Sequence, residues 1–202
     1  MKMLLLMNLV AMTIECYLLS NIIHRQPPVQ PIIIEIPLSF LNSAVTTQLD
    51  CECFGRMVEM IKRFESFKPI MYTCAGGKQT IGYGFTDAKY LKMKRMTESQ
   101  ASKILVNEVI PRYQALVRKH VKVPLTINQE CALVSFTYNC GEGSLVKVVD
   151  ARLNRLNKGN YHSVSPILLQ YTKVRVGNKI KTLNGLVTRR EHEAAMFEGK
   201  VI

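Results

Sequence analysis

From Met3 to Ile23 the chain is almost unbrokenly apolar, with Glu15 its one formal charge. About 20 apolar residues is the length a helix needs to cross a bilayer, and Lys2 supplies the short basic start of a signal sequence. No small-x-small cleavage site follows soon after residue 20. A lipoprotein signal on Cys16 is disfavoured because Glu15 stands where a small residue belongs. Residues 1–23 therefore fit an uncleaved signal anchor better than a cleaved signal. Glu15 makes it a marginal one, since a carboxylate at mid-membrane costs on the order of 3 kcal/mol.

Between His24 and Pro37 four prolines fix φ and forbid helix, so 24–50 is expected to be a proline-containing linker to a body at 51–202. Within the body, Phe54, Met57, Val58, Ile61 and Phe64 share one face of a first amphipathic helix. The glycine pair Gly76-Gly77 and the run Thr80-Ile81-Gly82-Tyr83-Gly84 predict a small antiparallel hairpin. Thr97-Glu98-Ser99-Gln100 is a capping-box pattern opening a long helix to about His120. Thr126-Ile127-Asn128-Gln129 opens another through Tyr138, apolar on nearly every side and so expected to be a buried central helix. Thr188-Arg189-Arg190-Glu191 predicts the start of a last helix through Phe197, with short helices near 143–156 and 160–171 between. The sum is an α+β domain, with one hairpin lobe and one larger helical lobe.

Composition adds one constraint. With 202 residues, 48% hydrophobic and 21% charged, the chain is an ordinary globular protein. Its 27 basic against 15 acidic residues leave a net +12, which points to an anionic partner without choosing among nucleic acid, lipid and wall polymer. No aromatic-rich basic motif supports nucleic acid. The six cysteines form no matched C-x-x-C pairs, and Cys51-Glu52-Cys53 lacks zinc spacing, so no metal or organic cofactor is called for. Cys131 and Cys140 are most simply core residues.

The chemistry concentrates in Phe64-Glu65-Ser66-Phe67-Lys68-Pro69, then Met71-Tyr72-Thr73-Cys74, then Gly77 to Gly84. This resembles the phage-type lysozymes, whose pattern is a Glu ending the first helix, an Asp or Cys nine residues on and a Thr six further. Glu65, Cys74 and Thr80 match all three positions and both spacings. The central-helix run Leu125–Gly141 and the closing Gly185-Leu186-Val187-Thr188-Arg189-Arg190-Glu191 look like the same family, so the resemblance covers roughly 54–198. It implies a lysozyme-like fold and a monomeric peptidoglycan hydrolase that cleaves between N-acetylmuramic acid and N-acetylglucosamine. The localisation it implies is the inner membrane and periplasm, reached through the N-terminal segment. The reading from another class is a non-catalytic, membrane-tethered wall-binding protein on the same fold.

Glycoside hydrolysis needs a proton for the leaving oxygen and a nucleophile on the other side of the sugar. Glu65, between Phe64 and Phe67 at a helix end, is placed for the first task, given a desolvating cleft. Cys74 could polarise a water, stabilise positive charge as thiolate, or attack the sugar; Thr80 suits orienting a water. Phe85 and Tyr171 stand where relatives often have His and Trp, and neither touches this trio. The resemblance also suggests control by thiol exchange among Cys16, Cys51, Cys53 and Cys74, as in membrane-tethered members with a catalytic Cys.

Overall fold

The computed structural model describes residues 38–74, 77–176 and 179–200. The expected anchor over 1–23, with Cys16, and the proline-containing residues 24–37 lie outside the described residues. Among the described residues no helix is long and apolar enough to cross a membrane. The chain divides at Leu41–Asn42 into two units, and apart from the first residues of the first helix everything below concerns the second.

Helix α1 runs Leu38–Glu65. It begins inside the interval expected to be linker, so 38–50 is helical rather than extended. The physical reason is that no proline stands between Pro37 and Pro69 to interrupt it. Its predicted face is the buried one: Met57 and Ile61 are sealed from solvent, Val58 nearly so, and Phe54 and Phe64 pack against the same core. Ser66, at φ 55°, turns the chain out of the helix directly after Glu65, and its N–H still bonds to Lys62 O at 3.0 Å.

The predicted hairpin follows, β1 (Lys68–Thr73) antiparallel to β2 (Gln79–Gly82), with Tyr72 opposite Thr80 and Thr73 opposite Gln79. A short α2 (Ala88–Leu91) leads to α3 (Glu98–Ile104), capped by the predicted box at Thr97 and Gln100. The long helix expected to reach His120 is interrupted by a π-helical turn, Leu105–Val109, before α4 (Ile110–His120). Pro111 accounts for it: proline cannot donate the i→i−4 bond and its ring crowds the preceding turn.

The buried central helix is α5 (Ile127–Cys140), opened by the capping box at Thr126 and Gln129, with every residue from Cys131 to Thr137 buried. It packs on α4 on one side and on α8 (Asn184–Phe197) on the other. Between them come α6 (Glu142–Val149), three single 3-10 turns within 151–163, and α7 (Val164–Leu168), close to the short helices expected there. A second hairpin, β3 (Lys173–Val176) with β4 (Lys179–Thr182), was not foreseen, although Gly177-Asn178 between two alternating segments was its signal. The last helix also begins earlier than expected. Val187 N–H already bonds to Leu183 O at 3.0 Å, so Thr188 lies within α8 rather than capping it. The α+β architecture itself is as expected.

Candidate active site

Glu65 is the last residue of α1 and opens on a cleft of about 330 Å³, lined also by Gly84, Phe85, Asp87, Tyr90, Arg112, Tyr113 and Tyr138. Its carboxylate is 20% exposed and is not held in the purely apolar niche that Phe64 and Phe67 suggested. Arg189 Nη1 donates to Glu65 Oε1 at 2.5 Å. The other oxygen, Oε2, faces Gly84, where a Cβ would stand 3.4 Å away. One carboxylate oxygen is thus fixed by a guanidinium and the other is presented to the cleft.

Arg189 is itself 2% exposed, which demands full compensation of its charge. Its Nε donates to Glu193 Oε1 at 3.2 Å and its Nη2 to Ser135 O at 3.4 Å. Glu193, wholly buried, also accepts from Ser135 Oγ at 2.8 Å and pairs with Arg190 Nε at 2.9 Å. Burial pushes the Glu193 carboxyl up, while Arg190 and Arg189 pull it down. This ion network sits between α5 and α8 and aims one arm at Glu65. The sequence carries no local mark of it, since Arg189, Arg190 and Glu193 stand in a helix that also holds Glu191 and His192.

Tyrosines form the walls. Tyr138 donates to Tyr83 O at 2.5 Å, and its ring centroid lies 5.0 Å from that of Tyr113. Burial first, then the Glu65 charge, raises the pKa of both phenols, so both stay neutral donors beside the carboxylate. Neither was singled out from sequence.

Cys74 and Thr80 meet at one backbone atom. Cys74 N–H bonds to Lys78 O at 2.9 Å, and the Thr80 hydroxyl donates to the same carbonyl at 3.1 Å. Thr80 is 4% exposed, and with its hydrogen committed to Lys78 it keeps lone pairs for another donor. Cys74 is half-buried. Tyr72 lies opposite Thr80 across the hairpin, and burial first, then the charges of Cys74 and Glu65, raises its phenol.

Phe85 is buried against Tyr90 in the cleft wall, ring centroids 5.3 Å apart, and Tyr171 packs edge-on against Phe136 of the core at 5.0 Å. Cys53 and Cys131 are buried together, and the hydrogen bond from Cys131, with Arg56 nearby, pulls the Cys53 thiol down to about 7. Cys140 is half-buried and lies 2.7 Å from Arg190 Nη1.

Gly84 supplies a direct test of the cleft. At φ 95° it adopts a conformation that costs an L-residue roughly 1–3 kcal/mol, and an added methyl would meet Glu65 Oε2 and, at 3.8 Å, the Tyr138 hydroxyl. Gly84→Ala is expected to remove most activity while the protein still melts cooperatively at a modestly lower temperature. Wild-type turnover by the variant would show that this space is not used.

A hairpin lobe and a helical lobe with a carboxylate between them, backed by a guanidinium, define a glycosidase-type cleft. Residues 62–193 match the Phage lysozyme family. The chain is 33% identical to an endolysin of Acyrthosiphon pisum secondary endosymbiont phage 1 over 139 residues, 69% of this chain and 92% of that one. It is 30% identical to a SAR-endolysin of Escherichia phage Mu over 133 residues, 66% of this chain and 73% of that one. Among solved structures it resembles the muramidase domain of SpmX from Asticaccaulis excentricus, with TM-score 0.62 and 30% identity over 70% of this chain and 94% of that one. The chain belongs to the phage lysozyme family, and it is a glycosidase of the lysozyme type.

Proposed function

We propose that this lysozyme opens bacterial peptidoglycan for host lysis by hydrolysing the β-1,4 bond between N-acetylmuramic acid and N-acetylglucosamine, with Glu65 as general acid. The observation that supports this most is the placement of Glu65 at the end of α1, with Oε2 turned to Gly84 in the cleft. Arg189 Nη1 holds Oε1, which leaves Oε2, facing Gly84 and the cleft, as the atom from which a proton reaches the glycan. That proton passes to the glycosidic oxygen as the bond breaks. A water held by Cys74 and Thr80 then adds to the anomeric carbon and gives its proton to solvent, from which the Glu65 carboxylate is reprotonated. The shared anchor at Lys78 O ties the Cys74 backbone amide and the Thr80 hydroxyl to one carbonyl, which supports their acting on the same water.

On this reading Cys74→Ala lowers kcat about 100-fold with little change in KM, the size expected for misplacing the attacking water. Cys74→Asp retains turnover, because a carboxylate also orients and activates water. The check is steady-state release of reducing ends from purified peptidoglycan by the full chain. Cys74→Ala at wild-type rate would remove the residue from the mechanism.

The protein acts as a monomer at the inner membrane and periplasm of the host envelope, delivered by residues 1–23 as a signal anchor. The apolar run with one charge supports this, as does similarity to a protein named SAR-endolysin. Net charge +12 favours encounter with an anionic wall.

A further inference from the structure

The far end of the cleft carries a feature the hydrolysis step does not use. Arg112, on the first turn of α4, is the one basic side chain among the described residues lining the cleft. It is 48% exposed at the side chain and pairs with Asp87, which reaches it from the loop after the hairpin lobe. Its Nη2 donates to the Tyr90 hydroxyl at 3.1 Å, and that hydroxyl donates onward to Glu108 at 3.1 Å. Glu108 is also bound by Lys89. The guanidinium is therefore held in place from two sides, yet one of its partners, Asp87, is a half-exposed carboxylate. Beyond it the wall is aromatic, Tyr113 against Tyr138, a surface on which a sugar ring stacks.

Of the two alternating sugars in peptidoglycan, N-acetylglucosamine is neutral, whereas N-acetylmuramic acid bears a lactyl ether amide-linked to a peptide that carries carboxylates. A guanidinium matches a carboxylate in geometry and charge, and Asp87 shows that a carboxylate already fits this one. We propose that Arg112 is the substrate's carboxylate subsite: a carboxylate of the peptide-bearing sugar displaces Asp87 and fixes which sugar occupies this end of the cleft. The inference rests on the peptidoglycan-hydrolase reading and adds to it the residue that sets register along the glycan. Arg112 is a specificity residue and takes no part in bond cleavage. Tyr90 and Glu108 stay behind it as a fixed mount, so the exchange needs only a side-chain movement by Asp87.

The test compares two substrates with the full chain: purified peptidoglycan, and the same material with its carboxylates amidated by carbodiimide and methylamine. Wild type is expected to prefer the untreated wall about tenfold in kcat/KM, the worth of one charge-assisted pair. Arg112→Gln loses that preference through KM and keeps its rate on amidated wall. Arg152→Gln, which removes an exposed charge elsewhere, keeps the preference. Asp87→Asn leaves the guanidinium in place without its competitor, so KM for untreated wall falls and that for amidated wall does not. Equal losses for Arg112→Gln on both substrates, or a preference lost equally in Arg152→Gln, would overturn the proposal. So would an Asp87→Asn enzyme unchanged on untreated wall. Failure of the wild type to release reducing ends from either material would instead refute the hydrolase reading beneath it.

Discussion

Glu65→Gln is expected to lower kcat by about a thousandfold or more, equivalent to about 4 kcal/mol of transition-state stabilisation. KM and melting temperature are expected to stay close to wild type. The amide keeps an oxygen for Arg189 Nη1 and fills the same volume, so neither cleft nor ion network collapses. What it lacks is a proton to give on the cleft-facing atom. The residual rate should come from binding and orientation by the tyrosine walls and the Cys74–Thr80 turn. A variant with a small loss in kcat and a large rise in KM would mean that Glu65 binds the sugar rather than protonating it.

The largest effect on stability is expected at Glu193, far from any contact with substrate. Its wholly buried carboxylate sits between Arg189 and Arg190 and accepts from Ser135. Glu193→Ala leaves Arg190, itself fully buried, without a carboxylate, and leaves Arg189 with Glu65 alone. Removing one partner of a buried ion pair costs about 3–5 kcal/mol, which for a chain of this size lowers Tm by roughly 10 °C. Activity of the folded fraction should fall as well, because Arg189 positions Glu65, the proposed acid. Glu59→Ala, at an exposed i,i+3 pair with Lys62, should leave Tm unchanged. Thermal melts of the two variants side by side, with turnover measured well below either midpoint, separate the network's structural role from its positioning of Glu65. Equal melting temperatures would show the network to be dispensable.

These two residues mark the boundary of what could be read without coordinates. The placement of Glu65 at a helix end, with Cys74 and Thr80 following on one hairpin, was legible because it is local and matches the family's spacing. The central helix was legible for a similar reason, since a capping box followed by an apolar run needs no partner to declare itself. Arg189 and Glu193 were not, because their meaning lies in packing between α8, α5 and the end of α1, with Glu65 and Arg189 124 positions apart. In sequence they look like ordinary charges on a last helix, and Thr188 even imitates a cap there. The true start at Asn184 is set by Leu183, whose carbonyl takes the Leu186 and Val187 amides. The helical 38–50 was misassigned because prolines at 27, 28, 31 and 37 dominated the reading of their downstream neighbours. The wall tyrosines failed to register because an aromatic at helical spacing carries no mark of facing a cleft rather than a core.

Whether the glycosidic bond is hydrolysed is read most directly from product chemistry. Purified peptidoglycan is digested with the full chain, reduced with borohydride and analysed by mass spectrometry. The predicted products are muropeptides ending in reduced N-acetylmuramic acid, absent from a parallel digest with Glu65→Gln. Products ending in a 1,6-anhydro sugar, products released by peptide-bond cleavage, or no products from folded protein would contradict hydrolysis of that bond.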